Sequence, residues 1–359
     1  MRLRLDTTAA FLVFLSGAGG LAACQSASDL WHVTATSSSV SEEIRFTNGD
    51  ARLRGTVYLP KTGNRLAAVV ILHHAGLPIR EATLYRHLCD GLPAMGIAVL
   101  SFDRRGSGQS SGDLSKANYE TLADDAIAGQ HGLTQISRID PKKIGFWGLS
   151  QGGWLAVLAA GRSKDAAFAI SVSAPLVTAD EQMKFATRNL LTVRGYSQSD
   201  VEDMLAARKA WTGYLHGKSS RDEAAEALRK AEGKPWFDIS YLPRASQLPN
   251  DPKHDPNRIR LDDDPIAAVQ RAKVPLLFLY ADSDPWVPVG ESVSRLQSLS
   301  IKLPNIQYAV IGNANHEMMF PGNETMQVDE ETTRKEAPQA PQYFMLLASW
   351  ITRHVANVR

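Results

Sequence analysis

The chain predicts an α/β protein: a mostly parallel twisted sheet, helices on both of its faces and a helical cap insertion late in the order. Three observations carry this. Apolar runs recur near 67–73, 97–102, 143–147, 167–173, 274–280 and 306–311, with helical stretches between them. Several of these runs are apolar throughout, as strands covered on both faces are, where a half-exposed strand would alternate. Between Pro175 and about Asp264 the rhythm stops. That stretch is charged, Ala-rich and helical at first, then rich in Pro, Asp and Asn.

Taken in order, residues 51–59 set Leu53, Val57 and Leu59 against Arg52, Arg54 and Tyr58, the pattern of a half-exposed edge strand. The run 67–72 is a buried strand, and His73-His74-Ala75-Gly76 is the loop after it. Residues 84–95 make an apolar helix in which Cys89 is a buried thiol. The strand 97–102 ends at Asp103. Gly106 and Gly108 then allow a tight loop, in which Arg104 or Arg105 is expected to pin its neighbours. Within the insertion, Ser199 with Glu202 and Ser220 with Glu223 match capping boxes and open helices. Its aromatics, Trp211, Tyr214, Trp236, Phe237 and Tyr241, either hold the insertion together or line a pocket. The run ending at Tyr280 is a buried strand with Asp282 and Asp284 just beyond it. The strand 305–311 leads through the turn Gly312-Asn313-Ala314-Asn315 to His316. The charged stretch 329–335 reads as solvated surface.

The chemistry concentrates at strand ends, where open α/β sheets place their sites. Gly148-Leu149-Ser150-Gln151-Gly152 matches G-x-S-x-G and joins the strand 143–147 to a helix rich in small residues. That is the setting of a nucleophile elbow, a sharp turn that presents a serine and tolerates only glycine on either side. A serine hydroxyl needs a base, and the base needs an acid to hold its tautomer. The base candidate is His316. His354 also lies beyond the aspartates, but it sits in the last helix beside Arg353 and reads as a helix-end residue. The acid candidate is Asp284, with Asp282 as the alternative. For the oxyanion, the backbone N–H groups of Gln151 and Ala75 are the candidate donors.

In this order the pieces resemble the α/β-hydrolase superfamily. More narrowly they resemble bacterial serine esterases and dienelactone-hydrolase-like proteins; the hydrolase domain of prolyl-oligopeptidase-type enzymes shares the motifs. The resemblance runs from about residue 44 to the C-terminus. It rests on Gly55-Thr56-Val57-Tyr58-Leu59-Pro60, Asp103-Arg104-Arg105-Gly106-Ser107-Gly108-Gln109-Ser110, the elbow, Asp284-Pro285-Trp286-Val287-Pro288 and Asn315-His316. It implies ester hydrolysis through an acyl-enzyme on Ser150, with no cofactor. One departure stands out: the family often has His-Gly where this chain has His73-His74. A large propeller, usual in the peptidases, does not fit the short stretch between the leader and the first strand. Thioester or amide hydrolysis remains an alternative, as does an anchored binding protein on an inactive scaffold.

Composition sets outer limits. The chain has 359 residues, 44% of them hydrophobic, and a formal net charge of +1. This fits one large globular domain and offers no basic excess for nucleic acid. No Cys/His spacing suggests a metal site. The N-terminus differs from the rest. Arg2 and Arg4 precede a short apolar core at 9–15, and Leu21-Ala22-Ala23-Cys24 resembles the lipobox of bacterial lipoproteins. The resemblance implies a signal peptide over 1–23, lipidation of Cys24 and a membrane anchor through a polar tether over 24–41. The catalytic domain then spans 42–359, with its insertion at about 176–264. Gln25 after the cysteine resembles sorting to the outer membrane, facing the periplasm; a soluble periplasmic or secreted protein is the alternative. Cys89 is the second of two cysteines, so no intrachain disulfide is expected if Cys24 is acylated.

Overall fold

Strand β3 (Leu66–Leu72) shows how the sheet is made, because every one of its side chains is buried. Successive residues serve opposite faces: Ala68, Val70 and Leu72 join one core, and Ala67, Val69 and Ile71 the other. Burying each Val, Leu or Ile in this way contributes about 1.5–3 kcal/mol. A computed structural model describes residues 39–252, 264–321, 328–329, 334–335 and 337–356. The leader, Cys24 and all but the end of the tether lie outside the described residues.

Eight strands form one sheet. Besides β3 they are β1 (Ser39–Asn48), β2 (Ala51–Pro60), β4 (Ile97–Phe102), β5 (Ile139–Leu149), β6 (Ala169–Val172), β7 (Leu276–Ala281) and β8 (Ile306–Ile311). Their order is β1-β2-β4-β3-β5-β6-β7-β8. The first two strands run antiparallel, and β4 through β8 are parallel. Helices α1 (Arg86–Ala94) and α9 (Pro341–Ala356) contribute to one core. The other is shared by α2 (Tyr119–Leu133), α3 (Gln151–Arg162), α7 (Pro265–Arg271) and α8 (Val289–Ser300).

The edge differs from the sequence reading. Strand β2 is flanked on both sides, by β1 and β4, and β1 is the edge. In β1 only Phe46 is buried, so its polar sequence carries no apolar run to betray it. The strand begins at Ser39, inside the stretch read as tether. The alternation in β2 is real, but Arg52 and Arg54 point away from the core beneath a paired strand.

The insertion holds α4 (Ala179–Val193), α5 (Gln198–Leu215) and α6 (Arg221–Glu232). It has its own apolar cluster, in which Leu191, Met204, Leu228 and Trp236 are buried. All three helices start with capping boxes: Thr178 with Glu181, Ser197 with Asp200, and Ser220 with Glu223. The box at Ser199 is therefore misplaced by two residues. Ser197 has the extended backbone an N-cap needs, whereas Ser199 already lies in the helix.

Candidate active site

Ser150 ends β5 and begins α3 with φ 57° and ψ −122°, a left-handed conformation unfavourable for any residue with a Cβ. Its neighbours make room. A Cβ on Gly148 would lie 1.9 Å from the Gly152 carbonyl oxygen, and one on Gly152 would lie 2.2 Å from the Leu72 carbonyl oxygen. Both obstacles are backbone, so neither can move aside cheaply. The Ser150 N–H donates to the Val172 carbonyl at 2.8 Å, which ties the turn to β6. Gln151 then opens a helix whose first N–H groups have no intrahelical acceptor.

The loop after β3 packs beside this turn, and the paired histidines in it have separate surroundings. His73 is 2% exposed and donates from Nε2 to the Phe102 carbonyl, joining the ends of β3 and β4. Burial, with Arg104 nearby, pushes it down to about 3, so it stays neutral. His74 gives its backbone N–H to the Tyr85 hydroxyl at 2.9 Å, and its Nδ1 accepts the Gly76 N–H at 3.1 Å. Of the N–H groups of His74, Ala75 and Gly76, that of Ala75 alone donates to no protein acceptor among the described residues; the same holds for Gln151. Arg104 joins the two donors' neighbourhoods. Its guanidinium donates to Gln151 Oε1 at 3.1 Å and to the His73 carbonyl at 2.9 Å. Arg105 instead makes a bidentate pair with buried Asp125, at 2.7 and 2.6 Å. Asp103 accepts the N–H groups of Arg80 and Gln109, both at 2.9 Å. Its carboxylate would also meet any Cβ on Gly108, which has φ 53°. All three residues of the loop are thus engaged in holding it.

Of the two aspartates, Asp284 is the one beside His316. Its Oδ2 lies 2.8 Å from His316 Nδ1, and its Oδ1 accepts the N–H groups of Trp286 and Val287 at 2.8 and 3.1 Å. A carboxylate only accepts, so Nδ1 carries a proton, and in a neutral ring Nε2 then keeps its lone pair. Asp282 is exposed, and its carboxylate accepts the Ser283 hydroxyl. The His316 loop is fixed by Asn315, whose side-chain oxygen accepts the N–H groups of Glu317 and Met319. Met318 takes φ 60° while fully buried, and its carbonyl accepts the Ala340 N–H.

Glu317 was not singled out in the sequence, and it is 1% exposed. Arg334 forks onto both of its carboxylate oxygens. Arg334 therefore belongs to the support of the His316 loop, and the reading of 329–335 as simple solvated surface fails there. A pair spaced seventeen residues apart leaves no periodic mark in a sequence.

Among the described residues, the insertion meets the loop of Pro285 and Trp286 beside the site. Gln182 and Asn189 of α4 donate to the carbonyls of Trp286 and Pro285, at 3.2 and 3.0 Å. The Trp286 ring lies 6.5 Å from the His316 ring and 6.1 Å from that of Tyr241. Tyr241 is 59% exposed, whereas Trp211, Tyr214, Trp236 and Phe237 are buried in the insertion's own core. Among the described residues, no group of three or more His, Cys, Asp or Glu side chains is placed to hold a metal ion.

Comparison with known proteins agrees with this architecture. The polyketide transferase claH of Penicillium crustosum is 31% identical over 46% of this chain and 54% of its own length. The thiohydrolase aneE of Aspergillus aculeatus is 32% identical over 47% of this chain and 51% of its own. The chain thus spans about half the length of the curated relatives it matches. The solved esterase PF2001 of Pyrococcus furiosus superposes with a TM-score of 0.52 at 19% identity, covering 83% of this chain and 89% of that one. Residues 68–322, well over half of the chain, match the family described as alpha/beta hydrolase fold, and the chain belongs to that family.

Proposed function

We propose that the chain is a serine hydrolase that cleaves carboxylic esters of small molecules through an acyl-enzyme on Ser150. The observation that carries this reading is the 2.8 Å contact between Asp284 and His316, which follow the C-terminal ends of β7 and β8 as Ser150 follows that of the parallel strand β5. His316 Nε2 takes the proton of Ser150 as its oxygen attacks the ester carbonyl. Asp284 holds the tautomer and stabilises the imidazolium that forms. The N–H groups of Gln151 and Ala75 hold the oxyanion. His316 returns the proton to the departing alcohol, then activates the water that frees the acyl group. Tyr241 and Trp286 form the side of the site that meets the substrate beyond the reacting carbonyl.

A fluorophosphonate probe tests the reading. The wild-type chain should be labelled at Ser150, and Ser150→Ala should lose the label while keeping its melting temperature. Equal labelling of the variant sinks the proposal. An unlabelled wild-type chain points instead to a binding protein on an inactive scaffold. Thioester hydrolysis is the second reading, favoured by relatives named thiohydrolases at 32% identity. A matched panel of oxygen esters, thioesters and amides separates these. We further propose that the catalytic domain is exported and lipid-anchored through Cys24. The mature N-terminus, measured by mass spectrometry, should be an acylated Cys24. An unmodified residue elsewhere ends the anchor proposal and leaves the hydrolase untouched.

A further inference from the structure

We propose that His74 is a further catalytic residue: its Nε2–H, a side-chain donor in the loop that carries Ala75, hydrogen-bonds the acyl oxygen as negative charge develops on it. The inference rests on the serine-hydrolase reading above and deepens it.

The argument starts with the tautomer. The Gly76 N–H points at His74 Nδ1 across 3.1 Å, so Nδ1 is the acceptor. The single proton of a neutral imidazole therefore sits on Nε2. The rest of the residue is occupied with holding the loop. Its N–H goes to the Tyr85 hydroxyl, and its carbonyl accepts from the Leu77 N–H at 3.3 Å and from Arg104 at 3.4 Å. Nε2 alone has no protein partner among the described residues. Nor is it one of the buried polar atoms left without a partner, so it opens to solvent. A donor whose ring is fixed by its other nitrogen, and whose N–H faces open space, is prepared for a ligand acceptor.

Location gives the acceptor. The His74 ring meets the His316 ring edge-on, with centroids 5.9 Å apart. In sequence it adjoins Ala75, whose N–H is the candidate donor from this loop. The acyl oxygen in the tetrahedral intermediate must lie within reach of that N–H, while the reacting carbon lies within reach of the proton on His316. His74 adjoins the first in sequence, and its ring packs on the ring of the second.

Charge explains why a neutral histidine suits this place. His316 becomes an imidazolium during each half-reaction. A lysine or arginine at this distance would oppose that charge; a neutral N–H does not. Burial, with His316, Arg334 and Arg104 adding repulsion, pushes His74 down to about 3. It neither gains nor loses a proton through the cycle. Its contribution is a dipole already pointed, which needs no reorganisation when charge appears. His73, one residue earlier, is a control within the chain, since its Nε2 is spent on Phe102.

The test uses the full chain, a short p-nitrophenyl ester and the thiono analogue that places sulfur at the acyl oxygen. Sulfur is a weak hydrogen-bond acceptor. His74→Leu should lower kcat/KM for the oxygen ester by about 10²-fold, the scale of one oxyanion donor. On the thiono ester its effect should be much smaller. His74→Gln puts an amide N–H near the position of Nε2 and should recover most of the loss. Equal losses on both substrates, or a Gln variant no better than Leu, overturn the proposal by showing that the ring only fills space. If the Leu variant does not fold, the Gln variant decides alone: keeping the wild-type preference for oxygen over sulfur supports the donor, and losing it overturns the donor. Fluorophosphonate labelling of the wild-type chain is read alongside. Its absence sinks the serine-hydrolase reading, whereas a labelled chain indifferent to the loss of His74 sinks the donor role alone.

Discussion

At the elbow the backbone has no freedom left, and in the insertion it has a great deal. Ser150 sits at φ 57°, and a Cβ at Gly148 or Gly152 beside it would run into a carbonyl oxygen. The insertion, by contrast, is three ordinary capped helices around an apolar cluster. Many sequences with that periodicity would build it. The proposed reaction chemistry thus falls at places where only one or two residue types fit. In the proposed function, contact with the rest of the substrate falls to side chains that the scaffold leaves exchangeable. This difference orders the expected effects of mutation, from strand-end loops to insertion.

The largest expected effect belongs to the strand-end acid. Asp284→Asn should lower kcat on the order of 10⁴-fold, because an amide cannot hold the required His316 tautomer. The fold should survive, since the amide oxygen can still accept the N–H groups of Trp286 and Val287. Asp282→Asn, at an exposed carboxylate that does not contact His316, should change kcat by less than ~3-fold, the limit of a small surface effect. Steady-state kinetics on one activated ester reads both. The opposite ranking would move the acid to Asp282 and break the assignment of the site to the buried carboxylate.

The parts of this site that were legible in the sequence are those with local causes. The elbow needs glycine at two fixed positions, and buried parallel strands need apolar runs, so both are written in adjacent residues. Edge strand β1 was hidden because Ser41, Glu42 and Glu43 face water, and its pairing is with β2 rather than with a core. Ser199 looked like a cap because the chain offers two serines in three positions. Which one caps depends on where the backbone turns extended, and that lies at Ser197. The role of Glu317 was illegible for a different reason: its buried carboxylate is met by Arg334, a residue distant in sequence.

That pair gives a second, smaller effect, on stability more than on chemistry. Arg334→Met should cost about 3 kcal/mol, since removing one partner of a buried ion pair leaves a costly charge behind. Urea unfolding measures it. Activity should fall as well, because Glu317 follows His316 directly in the loop that Asn315 ties at Glu317 and Met319. The double variant Glu317→Gln, Arg334→Met should recover most of the stability. If the single variant is as stable as wild type, the pair is dispensable to the His316 loop.

The smallest effect is expected on the insertion's side, and it is the one that tests what the insertion does. Tyr241 is the exposed member of the insertion's aromatics. It takes φ 56° beside Ser240, whose carbonyl accepts from the buried Arg208 at 2.6 Å. Its ring reaches Trp286, and Trp286 reaches His316. Tyr241→Ala should leave stability within about 0.5 kcal/mol, as exposed substitutions do. It should shift KM several-fold for esters with a bulky acyl or alcohol group and leave the smallest esters unchanged. Trp236→Ala is the matched contrast, because Trp236 is fully buried in the same insertion. It should cost about 3–5 kcal/mol, the usual range for emptying a buried aromatic site. A series of esters of increasing size, run on both variants beside urea unfolding, separates the two roles. If Tyr241→Ala leaves the whole series unchanged, the insertion meets no substrate at this point, and the boundary between exchangeable and constrained residues lies at Trp286 instead.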